Sequence, residues 1–106
     1  ADCHVEDCGF SGWDTGLLIG GEDWADPVGC LFEHNKVGFR FDSGGSYVNA
    51  NRFEGNAFLD NGTAVELLRV PGDKTLYFDG CRFAGNDADL SNPAGHPVNL
   101  SYATFE

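Results

Sequence analysis

Positive charge is scarce in this chain. Its 106 residues hold 6 Lys and Arg against 17 Asp and Glu. Nucleic-acid binding needs a basic face, so the balance argues against that partner. No apolar run is long enough to cross a membrane as a helix, and no segment has the layout of a signal peptide. Either can lie in parts of a parent protein beyond these residues. No stretch repeats its apolar residues at the helical period. Zinc is disfavoured, because no Cys-x-x-Cys pair occurs and the histidines are out of phase with the cysteines. His4, His34 and His96 have no Ser or Cys at a recognisable spacing, which leaves a nucleophilic triad without support. EF-hand and nonapeptide calcium repeats are also missing.

What is present is a phrase that returns. It reads Cys3-His4-Val5-Glu6-Asp7-Cys8, Cys30-Leu31-Phe32-Glu33-His34-Asn35, Asn51-Arg52-Phe53-Glu54-Gly55-Asn56 and Cys81-Arg82-Phe83-Ala84-Gly85-Asn86. A fifth copy starts at Ala103-Thr104-Phe105-Glu106. The steps between copies are 27, 21, 30 and 22 residues, so long and short copies alternate. Long copies are expected to insert Gly9-Phe10-Ser11-Gly12-Trp13 or Ala57-Phe58-Leu59-Asp60-Asn61. Repetition at this period signals a solenoid.

Each copy divides into short strands. Pairs such as Cys30/Phe32, Phe39/Phe41 and Val65/Leu67 have the period of two. Further strands are expected at Tyr47-Val48-Asn49, Leu76-Tyr77-Phe78 and Val98-Asn99-Leu100. Gly, Asn and Asp fill the turns, where left-handed backbone is tolerated. The expected architecture is all-β: a right-handed parallel β-helix solenoid of about four full coils plus the start of a fifth. Stacking should align Val5, Phe32, Phe53, Phe83 and Phe105 inside, and likewise Leu17, Phe39, Val65 and Leu90. Cys3, Cys30, Asn51, Cys81 and Ala103 should form a small-residue column. Asn35, Asn56 and Asn86 should form a ladder that satisfies turn amides, weakened where Cys8 replaces its fourth member.

The phrase (Cys/Asn)-x-Phe-x-x-Asn, followed by Gly-apolar-x-apolar, resembles the right-handed parallel β-helix repeat of the pectate-lyase-like superfamily. That group holds polysaccharide lyases, glycoside hydrolases, alginate epimerases and bacterial surface proteins. The resemblance spans nearly the whole chain, read here as a single domain over 1–106 and a fragment of a longer repeat protein. It specifies architecture and leaves activity open. In lyases of this architecture an outer sheet face carries carboxylates that hold calcium, with an Arg or Lys as base. The matching outward positions here are Leu18, Arg40 and Glu66. Arg40 and Glu66 are therefore the catalytic candidates, against the plainer reading of a wet cross-strand ion pair. Asp14 and Asp42 lie near the same edge without a partner that sequence can assign.

The acidic surface offers two oxygen clusters for calcium: Glu22-Asp23 with Asp26, and Asp87 with Asp89. No cofactor is required, and calcium is the ion such clusters would take. Three of the four cysteines fall in one inward column, which favours packed thiols. Cys30 and Cys81, two coils apart, stand roughly 10 Å from each other, beyond disulfide reach. Cys3 and Cys30 remain open to bridging. The ligand-binding candidates are Trp24 with Glu22, Asp23 and Asp26, in the loop Gly20–Pro27, and Trp13. Exposed indoles stack on sugar faces; alternatively, each ring covers an open end of the stack. Asn61-Gly62-Thr63 and Asn99-Leu100-Ser101 match the N-glycosylation pattern, which carries no weight in a bacterial protein.

The expected function is a non-catalytic structural or adhesive segment of an extracellular or cell-surface protein, bacterial by resemblance. The alternatives are a fragment of a polysaccharide lyase, hydrolase or epimerase, and a glycan-binding module. The expected partners are polysaccharide or cell-surface glycan, and further copies stacked end to end through unpaired strand edges.

Overall fold

A computed structural model describes residues 2–6, 8–21, 24–43, 52–70 and 75–106; at 2–6, 21, 24–26 and 43 it describes the backbone alone. Every described element is a strand, and every pairing between strands is parallel. The chain winds as a parallel β-solenoid of about three turns. Among the described residues no helix is long and apolar enough to cross a membrane.

The first sheet stacks β2 (Gly9–Ser11), β5 (Leu31–Glu33), β7 (Ala57–Leu59), β10 (Arg82–Ala84) and β13 (Thr104–Phe105). The second stacks β3 (Thr15–Gly21), β6 (Val37–Ser43), β8 (Thr63–Arg69) and β11 (Ala88–Ser91). The third side holds β1 (Asp2–Glu6) on β4 (Trp24–Val28), and β9 (Leu76–Tyr77) on β12 (Val98–Asn99). An isolated bridge from Arg52 to Tyr77 extends that side.

The first sheet corrects the phase of the repeat. Its register sets Phe10 on Phe32, Phe32 on Phe58, Phe58 on Phe83 and Phe83 on Phe105. The rings stack nearly parallel, with centroids 5.1, 4.9, 4.9 and 5.0 Å apart. Stacked aromatic pairs add about 0.5–1.5 kcal/mol each beyond burial. Val5 and Phe53 do not belong to this column. Val5 pairs with Pro27 on the third side, and Phe53 packs on Phe78 at 5.3 Å. The segments read as insertions, Gly9–Trp13 and Ala57–Asn61, are the repeat itself.

The small-residue column shifts accordingly. It runs Cys8, Cys30, Asn56, Cys81 and Ala103, each carbonyl but the last accepting the N–H that opens the next coil's strand at 2.8–2.9 Å. Cys3 pairs with Ala25 instead, and Asn51 lies outside the described residues, as does Tyr47-Val48-Asn49. The corrected steps are 22, 26, 25 and 22 residues, so the alternation of long and short coils disappears. The expected column of Leu17, Phe39, Val65 and Leu90 stands as read.

Left-handed backbone marks two corners of each coil. At one, Gly12, His34, Asp60 and Gly85 have φ of 76, 55, 55 and 68°. At the other, Gly29, Gly55 and Gly80 have φ of 63, 67 and 69°. Only Gly takes this conformation without steric cost, so His34 and Asp60 are held there by their surroundings.

Candidate functional site

After every left-handed position of the two corners except Gly12, the next residue turns its side chain into the stack. At the first corner these are Asn35, Asn61 and Asn86. Asn61 Oδ1 accepts from Asn35 N at 3.1 Å and from Asn35 Nδ2 at 3.2 Å. Asn61 Nδ2 donates to Phe32 O and to Asn86 Oδ1, both at 3.0 Å. Asn35 repeats the pattern toward Trp13 N and Phe10 O, and Asn86 toward Asn61 N and Phe58 O. The asparagine ladder is therefore Asn35, Asn61 and Asn86. Asn56, expected in it, belongs to the second corner, where its amide accepts from Cys30 N and donates to Pro27 O, each at 2.9 Å.

Cys81 takes the same part as Asn56 one coil later, its Sγ lying 2.9 Å from Phe53 O. The thiol of Cys81 and the carboxamide of Asn56 are interchangeable there because both are small donors facing a carbonyl of the coil before. Burial pushes the Cys81 thiol up to about 11. Cys8, Cys30 and Cys81 are thiols.

Outward positions of the second sheet carry the expected catalytic candidates. Arg40 pairs in register with Glu66, flanked by Leu18 and Ser91. Arg40 Nε donates to Glu66 Oε1 at 2.6 Å. One step along, Arg69 Nε donates to Asp42 Oδ1 at 2.7 Å. Arg52 Nη1 donates to Asp79 Oδ2 at 3.2 Å, and its guanidinium lies 4.3 Å from the centre of the Tyr77 ring. Arg82 pairs with Glu106. These four are all the arginines of the chain, and every pair links neighbouring coils, with partners 24–27 residues apart.

The remaining candidates separate. Trp13 occupies the ladder position of the first described corner and is 64% exposed. Trp24 and Asp26 lie on β4, in register with Asp2 and His4 on β1. Glu22 and Asp23 fall outside the described residues. Asp89 accepts from Asn86 Nδ2 at 3.2 Å and so terminates the ladder, while Asp87 is exposed beside it. Among the described residues no group of three His, Cys, Asp or Glu side chains is placed to hold a metal. Asp14 is exposed and away from the Asp42–Arg69 pair in sequence and register. His34 is an exposed corner residue, and His96 is buried where Asn92 clasps its backbone through both amide atoms.

The two glycosylation patterns differ. Asn61 is buried in the ladder with its amide nitrogen engaged. Asn99 is half-buried, and its Oδ1 accepts from Ser101 N at 2.9 Å.

Sequence reasoning passed over Asn61, Arg52 and Asp79. A uniform period would have located Asn61, and a search for opposite charges one coil apart would have found the other two. We find no match for the chain among protein-family models, curated proteins or solved structures.

Proposed function

We propose that this chain is a load-transmitting scaffold segment of an extracellular, bacterial surface protein, built on the right-handed β-helix plan of the pectate-lyase-like group. The supporting observation is the commitment of all four arginines to carboxylates on a neighbouring coil. Arg40 illustrates it. At the place where a lyase of this plan would keep its base, the guanidinium serves as a donor to Glu66. A guanidinium bonded through Nε to a carboxylate of the next coil ties the two coils together and is not presented to a substrate proton. The hydrogen bonds between strands, the asparagine ladder and the ion pairs all run from coil to coil along one axis, as suits a segment that holds other parts apart.

Glycan binding is the second reading, favoured by the exposed Trp13 ring. Incubation with acidic and neutral polysaccharides, with and without calcium, separates the readings. Unchanged product length on every substrate supports the scaffold, and shortened or unsaturated products overturn it. Retention on an immobilised glycan, lost in Trp13→Ala or Trp24→Ala with the fold intact, would support the binding module.

A further inference from the structure

The corrected column places two cysteines on adjacent coils. Gly9 pairs with Leu31, and Cys8 and Cys30 stand one position before them. Leu31 N donates to Cys8 O at 2.8 Å, which brings the two residues level. Neighbours in a parallel ladder lie about 4.8 Å apart, inside the roughly 4.4–6.8 Å between Cα atoms that a disulfide needs. Two side chains of this column reach toward the coil before: Asn56 Oδ1 accepts from Cys30 N at 2.9 Å, and Cys81 Sγ lies 2.9 Å from Phe53 O. Cys30 Sγ lies 3.5 Å from Val28 O. Cys81 is two coils from Cys30, with Asn56 between them. Cys3 is on another side of the coil, opposite Ala25.

We propose that Cys8 and Cys30 are an oxidation site, joined in oxidising surroundings by a disulfide that staples the first coil to the second. Cys8 is exposed and Cys30 is 2% exposed, which sets the order of events. The Cys8 thiolate attacks one sulfur of glutathione disulfide, and one glutathione leaves as its thiolate. Cys30 then loses its proton, and its Sγ attacks Cys8 Sγ. The second glutathione leaves, the contact to Val28 O is given up, and two electrons have passed to the oxidant. A bond here closes the 23 residues from Cys8 to Cys30 into a loop and limits the unfolded chain.

The test is to incubate the reduced full chain with glutathione disulfide, digest it under acid, and map linked peptides by mass spectrometry. The expected product is a Cys8–Cys30 peptide pair lighter by two hydrogens. It should come with a raised urea midpoint that dithiothreitol reverses. Both should persist in Cys3→Ser and vanish in Cys8→Ser, whose change lies at an exposed position and leaves the core intact. A glutathione adduct resting on Cys8, a Cys3–Cys8 link or a disulfide between two chains would each overturn the proposal.

Discussion

Replacing Asn61 with Leu tests the ladder at its centre. The side chains are similar in volume, so the change removes hydrogen bonds and leaves little cavity. Asn61 is 2% exposed and makes four bonds through its amide. Not all of these losses are equal. Phe32 O sits in a paired strand and, with two lone pairs, keeps its ladder donor. Asn35 Nδ2 retains Phe10 O, and Asn86 Oδ1 retains Asn61 N. Asn35 N has no second described acceptor and lies in a buried residue. An orphaned buried donor costs about 1–3 kcal/mol, and each further lost bond adds up to about 1 kcal/mol. The expected loss for Asn61→Leu is therefore about 3 kcal/mol. Asn35→Leu orphans Trp13 N, which belongs to an exposed residue that water can reach, so about 1 kcal/mol is expected there. Urea unfolding followed by tryptophan fluorescence gives both values. Equal losses, or a loss below about 1 kcal/mol at Asn61, would refute the view that the ladder satisfies buried turn amides.

Four other outcomes follow from the same geometry. Phe58→Ala should cost about 3–5 kcal/mol, because its ring is fully buried between Phe32 and Phe83, whereas Phe105→Ala at the half-exposed end should cost clearly less in the same urea titration. Asp60→Gly should leave stability unchanged or raise it by up to about 1 kcal/mol, since it relieves a left-handed φ of 55°. Cys81 holds its proton more tightly folded than unfolded, so stability should be steady below pH 9.0 and fall as the pH climbs toward about 11; native Cys81 should resist iodoacetamide at pH 8 while exposed Cys8 reacts. Secreted through a glycosylating host, the folded chain should carry glycan at Asn99 and none at Asn61, read by peptide mass mapping.

The period of this chain was legible, and its phase was not. Gly, Asn and Asp at regular intervals, with apolar residues two apart, sufficed for a parallel solenoid and for the Leu17–Phe39–Val65–Leu90 column. The outward ion pair of Arg40 and Glu66 was legible for the same reason: one correct column places its neighbours. The phase failed because two corners of the coil ask for the same chemistry. Phe53-Glu54-Gly55-Asn56 and Phe58-Leu59-Asp60-Asn61 each present a buried Phe, an outward residue, a left-handed residue and an inward Asn. Each Asn bonds the coil before it, Asn56 through Cys30 N and Asn61 through Asn35 N. Local preferences cannot separate two sites with identical demands. Register across coils can, since a shift of phase would move Phe58 off Phe32 and break an aromatic stack at 4.9 Å.

The same ambiguity bears on function. A one-corner error moves a residue to another side of the coil, and with it any inferred neighbour. Cys3 was matched to Cys30 under the wrong phase; under the right one it is Cys8 that stands beside Cys30, exposed and one coil away. Arg52 and Asp79 likewise become cross-coil partners only once Arg52 is set against Tyr77. In a solenoid, each side chain's chemistry depends on who occupies the same column one coil away. The evenness of the period is thus the quantity to optimise before any residue is given a role. Here the even steps of 22, 26, 25 and 22 residues select the phase in which all three ladder asparagines share one corner.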